Sequence, residues 1–171
     1  MKTFRRSILA AFVLVGASSG AVLAAPLDAL DRFAGTWQSE GTFLDTPYSD
    51  PGSTSATTVC AWSVDRTFMI CQQRVLLNGK PDADVAVYTY DPTQSAYRFY
   101  NVRPAQSTSA TITIDGNRIV YPFSFTDHGK NVTIRTLNVW ENANTYKWRT
   151  EYSTDGGAHW TLMASGISRK S

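Results

Sequence analysis

Two cysteines, two histidines and 14 carboxylates are the groups from which covalent or metal chemistry would have to be built in this 171-residue chain. A zinc site needs three or four nitrogen, sulfur or oxygen ligands brought together. His128 sits in the polar turn Asp127-His128-Gly129 and His159 opens the last apolar stretch beyond Gly157, with no ligand cluster near either. No metal site is expected. Nucleophilic catalysis would need a serine or cysteine beside a base and an orienting acid. No Gly-x-Ser-x-Gly elbow occurs, and half of the acids, Asp45, Asp50, Asp65, Asp91, Asp115, Asp127 and Asp155, stand where turns need them. Glu40 and Glu151 fall on the polar parity of strand-like segments and are expected to face solvent. No catalytic residue is assigned.

The cysteines have a better use. In the stretch 57–77, two runs rich in β-branched and aromatic residues meet at Asp65-Arg66, with Cys60 and Cys71 equidistant from that point. A hairpin turning there sets Trp62 opposite Met69 and Cys60 opposite Cys71, at a separation a disulfide spans. A two-residue loop would place the cysteines at a hydrogen-bonded pair, the wider of the two cross-strand spacings. Whether Phe68 and Ile70 or Met69 and Cys71 face inward is not decided by the pattern.

The elements around this hairpin read as one exported domain. Lys2, Arg5 and Arg6 precede an apolar run, residues 8–23, and a small-residue site with Val22 and Ala24. This is the form of a secretory signal peptide, with cleavage expected after Ala24. Residues 25–171 would then make a single domain with no membrane span, placed in the periplasm or secreted, where a disulfide forms. Losing the three leader cations from 16 leaves 13 Lys and Arg against 14 Asp and Glu. That balance gives no reason to expect nucleic acid as a partner.

Within the domain, Leu27, Leu30 and Phe33 space a short helix over 25–33, and alternation begins at Trp37, Gly41 and Phe43. A polar loop is expected over 45–55, then the cysteine hairpin and strands near 85–90, 96–102, 109–114, 118–125, 132–140, 145–152 and 159–167. Ten short strands with turn signals between them predict an all-β, antiparallel, up-and-down β-barrel with a short N-terminal helix.

The order Gly35-Thr36-Trp37, Arg66-Thr67-Phe68-Met69, Asn78-Gly79-Lys80, Tyr90-Asp91-Pro92 and Ser153-Thr154-Asp155-Gly156-Gly157 before Trp160 resembles a DUF1579-type, lipocalin-like family of bacterial proteins whose function is unassigned. Gly35-Thr36-Trp37 with Gly41 is also similar to the opening strand of calycins, the fatty-acid-binding and nitrobindin barrels among them. The resemblance implies a barrel of about ten strands and offers no established activity. It departs at Val64-Asp65, where a glycine pair is usual, and the cysteine pair is not a general feature. No cofactor is expected, haem through His159 being the alternative that a calycin admits.

Aromatic residues make up 12% of the chain, enough either to fill a barrel or to line one. Trp37, Phe99, Tyr121, Phe123, Trp140, Tyr146 and Trp148 fall on inward parities, and Thr136 and Asn138 share them. A barrel of ten strands is wider than side chains alone easily fill. These nine residues are therefore the candidate cavity lining, and a small apolar or aromatic molecule the expected ligand. The alternatives are an enzyme with a catalytic group at the cavity floor, or a secreted interaction module using an exposed loop around Tyr48. Nothing in the sequence fixes the oligomeric state.

Overall fold

Antiparallel hydrogen bonding runs unbroken round the molecule. The computed structural model describes residues 26–104 and 106–171, and its ten strands follow one another in order until the last pairs with the first, giving a closed up-and-down barrel. The strands are β1 (Gly35–Phe43), β2 (Gly52–Trp62), β3 (Phe68–Leu77), β4 (Lys80–Asp91) and β5 (Ala96–Arg103), then β6 (Gln106–Asp115), β7 (Arg118–Asp127), β8 (Lys130–Asn142), β9 (Thr145–Ser153) and β10 (Thr161–Lys170). A 3₁₀ helix, Pro26–Phe33, precedes them. The expected leader and its cleavage point lie outside the described residues.

Turn chemistry sets the hairpin registers. Asn78-Gly79 and His128-Gly129 both take positive φ at both positions, the two-residue turn whose twist matches the flanking strands. His128 is thus a turn residue with an exposed ring. The expected polar loop over 45–55 is shorter than the sequence suggests, because Gly52, Ser53, Thr54 and Ser55 already pair with β1.

Cys60 and Cys71 are opposed and bonded, with their Cα atoms 4.0 Å apart. The loop differs from the two-residue expectation. Ser63 N–H donates to the Phe68 carbonyl at 2.8 Å and Arg66 N–H to the Ser63 carbonyl at 2.9 Å, so four residues turn the chain. Counting outward from Ser63–Phe68, alternation puts the cysteines at a non-hydrogen-bonded pair, the closer spacing. Both point inward, as does Met69, which settles the inner face of β3.

The 3₁₀ helix plugs one end. Leu30 and Phe33 are buried; the Phe33 ring stacks on Tyr88 at 4.8 Å and meets Trp140 edge-on at 5.2 Å. Four side chains tether the helix, one of them Arg66, whose guanidinium donates to Asp31 at 3.0 Å. Trp37 Nε1–H donates to the Phe33 carbonyl (2.8 Å), Tyr97 O–H to the Pro26 carbonyl (2.6 Å), and Trp62 Nε1–H to Asp31 (2.7 Å). Tyr48 does not project into solvent, as an interaction loop would require. It folds back against Phe125 and Tyr152, ring centroids 5.7 and 4.9 Å away, where burial of apolar ring outweighs exposure.

Trp37 is 1% exposed and joins the plug to β1, so its truncation removes both packing and a tether. We expect Trp37→Ala to lower unfolding free energy by about 3–5 kcal/mol in chemical denaturation; an unchanged midpoint would contradict its place in the core.

Candidate functional site

Above the plug the barrel is open. A cavity of ≈ 530 Å³ lies between the strands, within the range of small-molecule sites. Its lining is asymmetric. Phe33, Trp37 and Tyr88 form the floor, and Phe99, Tyr121, Phe123, Tyr146 and Trp148 one apolar side; Thr58, Gln73, Asp84, Asn101 and Arg103 form a polar wall on β2 to β5. The disulfide also lies in the wall, where it fixes β2 against β3.

Eight of the nine residues singled out from sequence reach this cavity: Trp37, Phe99, Tyr121, Phe123, Thr136, Asn138, Tyr146 and Trp148. Phe123 stands at the rim, 43% exposed. Thr136 is paired across the wall with Thr150, hydroxyl to hydroxyl at 3.0 Å. Trp140 is buried beyond the cavity surface among Phe33, Trp37 and Tyr146, and its indole N–H is an unpartnered buried donor. Parity places a residue inside a barrel but not at a particular height in it, and Trp140 is at plug height.

Trp148 owes its position to missing side chains. Gly41 and Gly166 face each other across the β1–β10 pair, and Gly166 is opposite Trp148 on β9. The indole lies over both glycines, and a methyl group at either position would strike it and the neighbouring backbone carbonyl. A wide aromatic plate therefore lines the cavity where side chains would otherwise fill it.

Asp84 is the site residue that sequence reasoning missed. Its carboxylate is 6% exposed on the polar wall, 3.4 Å from the Arg103 guanidinium, which also lies 3.6 Å from Asp82. Burial pushes the Asp84 carboxyl above its ordinary value, outweighing the opposing pull of Arg103 and the Asn101 hydrogen bond. The stretch Pro81-Asp82-Ala83-Asp84 looks like a continuation of the Asn78-Gly79 turn, which hid a strand residue with inward parity. Tyr88 and Tyr121 are likewise held protonated by burial, and Tyr146 less strongly so, close to the Ser39 and Ser168 hydroxyls.

Other titratable groups lie outside the cavity. His159 is not on the last strand: Asp155 accepts its backbone N–H (3.0 Å) and meets its ring Nδ1 (2.7 Å), which fixes it in the β9–β10 connection with the ring exposed. Those contacts hold the Asp155 carboxyl well below the usual carboxylate range. Glu151 has outward parity yet is only 12% exposed, because Arg135 at 2.7 Å and Arg149 at 2.8 Å cover it. Trp160 in turn lies against the Arg135 guanidinium, 3.7 Å from the ring centroid. Among the described residues no group of three or more His, Cys, Asp or Glu could hold a metal ion.

Two outcomes follow from this geometry. Gly166→Ala should displace Trp148 and reduce stability by about 1–3 kcal/mol, the range for overpacking, with a shift in tryptophan emission; unchanged emission and stability would contradict the close contact. A carboxyl raised on folding favours the native state most below its ordinary value of 3.8, and that contribution is lost as pH rises through the folded value. Asp84→Asn should therefore gain stability relative to the parent protein between about pH 3 and about pH 7 in denaturation titrations, and a flat or falling difference would contradict the burial argument.

No protein-family profile matches the chain, and no curated protein matches it. Solved structures do. Rv2717c from M. tuberculosis is similar at 15% identity and TM-score 0.58, over 86% of this chain and 98% of that one. The S-type phycobiliprotein lyase CPES from Guillardia theta is similar at 11% identity and TM-score 0.53, over 84% and 90%. EF1p2_mFAP2b bound to DFHBI aligns over 86% and 100% at 13% identity, with a TM-score of 0.46 too low to add to the comparison. At these identities the likeness is one of architecture: this chain has the closed, ten-stranded, lipocalin-like barrel fold.

Proposed function

We propose that this protein binds a small apolar or aromatic molecule inside the barrel, through Trp37, Phe99, Tyr121, Phe123, Tyr146 and Trp148. The observation that carries the reading is an open cavity of ≈ 530 Å³ with an aromatic side, in a barrel whose plugged end is already packed. Burying apolar ligand surface there is favourable by about 25 cal/mol per Å², which supports micromolar affinity without any charged anchor. A similar barrel bears the name of a phycobiliprotein lyase, and at 11% identity that name supports the shared scaffold rather than a shared ligand.

The setting belongs to the same reading. The chain is a DUF1579-type barrel exported by a leader over residues 1–24, with residues 25–171 as its single mature domain in the periplasm or medium. The Cys60–Cys71 disulfide supports this, and no helix among the described residues is long and apolar enough to cross a membrane.

Catalysis is the second reading, and the observation behind it is Asp84. A carboxyl with a raised pKa on a cavity wall is a candidate general acid or base. Recovered ligand separates the two: it leaves a binding protein chemically unchanged, whereas an enzyme converts it only while Asp84 is present.

The binding reading is tested by screening fatty acids, haem and aromatic metabolites against the tryptophan emission and melting temperature of delipidated protein. At least one class should shift both, and Trp148→Leu should weaken the response. If no class shifts either, the cavity has no ligand of this kind.

A further inference from the structure

Resting on that binding reading, we propose that the cavity selects an uncharged ligand carrying a hydrogen-bond acceptor oxygen, a ketone, quinone or ester on a flat apolar body, and receives that oxygen between the Tyr88 and Tyr121 hydroxyls.

The two phenols are placed for a guest. Tyr88 is buried, its ring between Phe33 at 4.8 Å and Phe99 at 5.2 Å, and Tyr121 meets the same Phe99 edge-on at 5.2 Å. Their oxygens are 3.4 Å apart, whereas a good O–H···O bond is about 2.7–2.8 Å long. Each hydroxyl carries one donor and two acceptor positions, so even a well-formed mutual bond would leave one donor unspent. In water an unspent donor is solvated; within this aromatic cage an acceptor atom of the ligand takes that place.

Asn138 adds a third neutral group. It lines the cavity at 9% exposure, and its carboxamide makes no hydrogen bond among the described residues. The β7–β8 register pairs Ile119 with Asn138 and Tyr121 with Thr136, so Asn138 is the diagonal neighbour of Tyr121 on the inner face.

No cation reaches the cavity surface beside the phenols: Arg32, on the plug over the Trp140 ring, acts on Tyr121 only at a distance and does not line the cavity. The charged side chains on the cavity wall are Asp84 and Arg103, and they face each other across β4 and β5 towards the open end, with Asp82 on the same guanidinium. A carboxylate carried down to the phenols would be desolvated with no positive partner, a large penalty. A ligand ammonium there could donate to the phenol and Asn138 oxygens, but it would be desolvated with no anionic partner free to pair with it. Both phenols are protonated, and hence donating, across the neutral range, as an ordinary phenol is, and burial raises them further. The charge distribution therefore separates a carbonyl ligand from a fatty acid or an amine of the same skeleton.

The test is calorimetric titration of the delipidated full protein with naphthalene, 2-acetylnaphthalene and 2-naphthoate at neutral pH, repeated on Tyr88→Phe and Tyr121→Phe. The acetyl compound should bind about tenfold more tightly than naphthalene, the worth of roughly one net hydrogen bond. In each phenylalanine variant the ratio of the two affinities should fall from about tenfold towards one, whatever the variant does to naphthalene itself, with an unchanged melting profile showing that the barrel is folded. The naphthoate should bind least. Equal affinity for naphthalene and its acetyl derivative, equal loss of both in the variants, or tightest binding of the naphthoate would overturn the acceptor proposal and leave ligand binding standing. Absence of binding by all three would overturn both.

Discussion

Closure of the sheet is the constraint on which everything else rests. β1 pairs with β10 over seven residue pairs, Trp37–Lys170 to Phe43–Ala164, and that seam removes the two edges an open ten-stranded sheet would expose. Closure also fixes an inner circumference wider than side chains readily fill. The chain meets this in two ways. It stoppers one end with the 3₁₀ helix, and at the middle of the seam it places Gly41 against Gly166, so that a single indole covers two strands.

The interior that results has two characters. Rings of the plug and of β4, β5 and β7 form a continuous aromatic surface, Phe33 to Tyr88 to Phe99 to Tyr121, each pair within 5.2 Å except the longer Tyr88–Tyr121 contact. Further from the plug, β2 to β5 contribute Thr58, Gln73, Asn101 and the Asp84–Arg103 pair, with Gln73 donating to the Thr58 hydroxyl at 2.8 Å. An all-apolar lining would favour any greasy guest. A wall that already spends its charges on each other, and a phenol pair with a donor left over, would instead favour a guest with polarity at one chosen point.

Much of this was legible in the sequence because the signals were local. Turn dipeptides such as Asn78-Gly79 set registers, and strands with one wet face, β7 and β9, alternate cleanly enough for Tyr121, Tyr146 and Trp148 to be placed inside. β3 was ambiguous for a physical reason. Ile70 faces outward in register with Ala61, Val87 and Tyr100, and the next row outward contains Val59, Val85 and Val102, so both faces of these strands are apolar and parity loses its contrast. Asp84 was obscured because Pro81 and acidic residues just after the Asn78-Gly79 turn look like more turn. Tyr48, His159 and Glu151 depended on side-chain contacts that strand periodicity does not record: the docking of Tyr48 on Phe125 and Tyr152, the local turn in which Asp155 holds His159, and the Arg135–Trp160 cover over Glu151.

The central claim is that the barrel interior is a binding site rather than a packing defect. Native mass spectrometry of the protein purified from its own host, without delipidation, tests it most directly. A bound-state mass above that of the polypeptide, lost on denaturation and yielding one recurrent small molecule, is the result this account predicts. A spectrum showing only the polypeptide, unchanged by gentle or denaturing conditions in independent preparations, would contradict it.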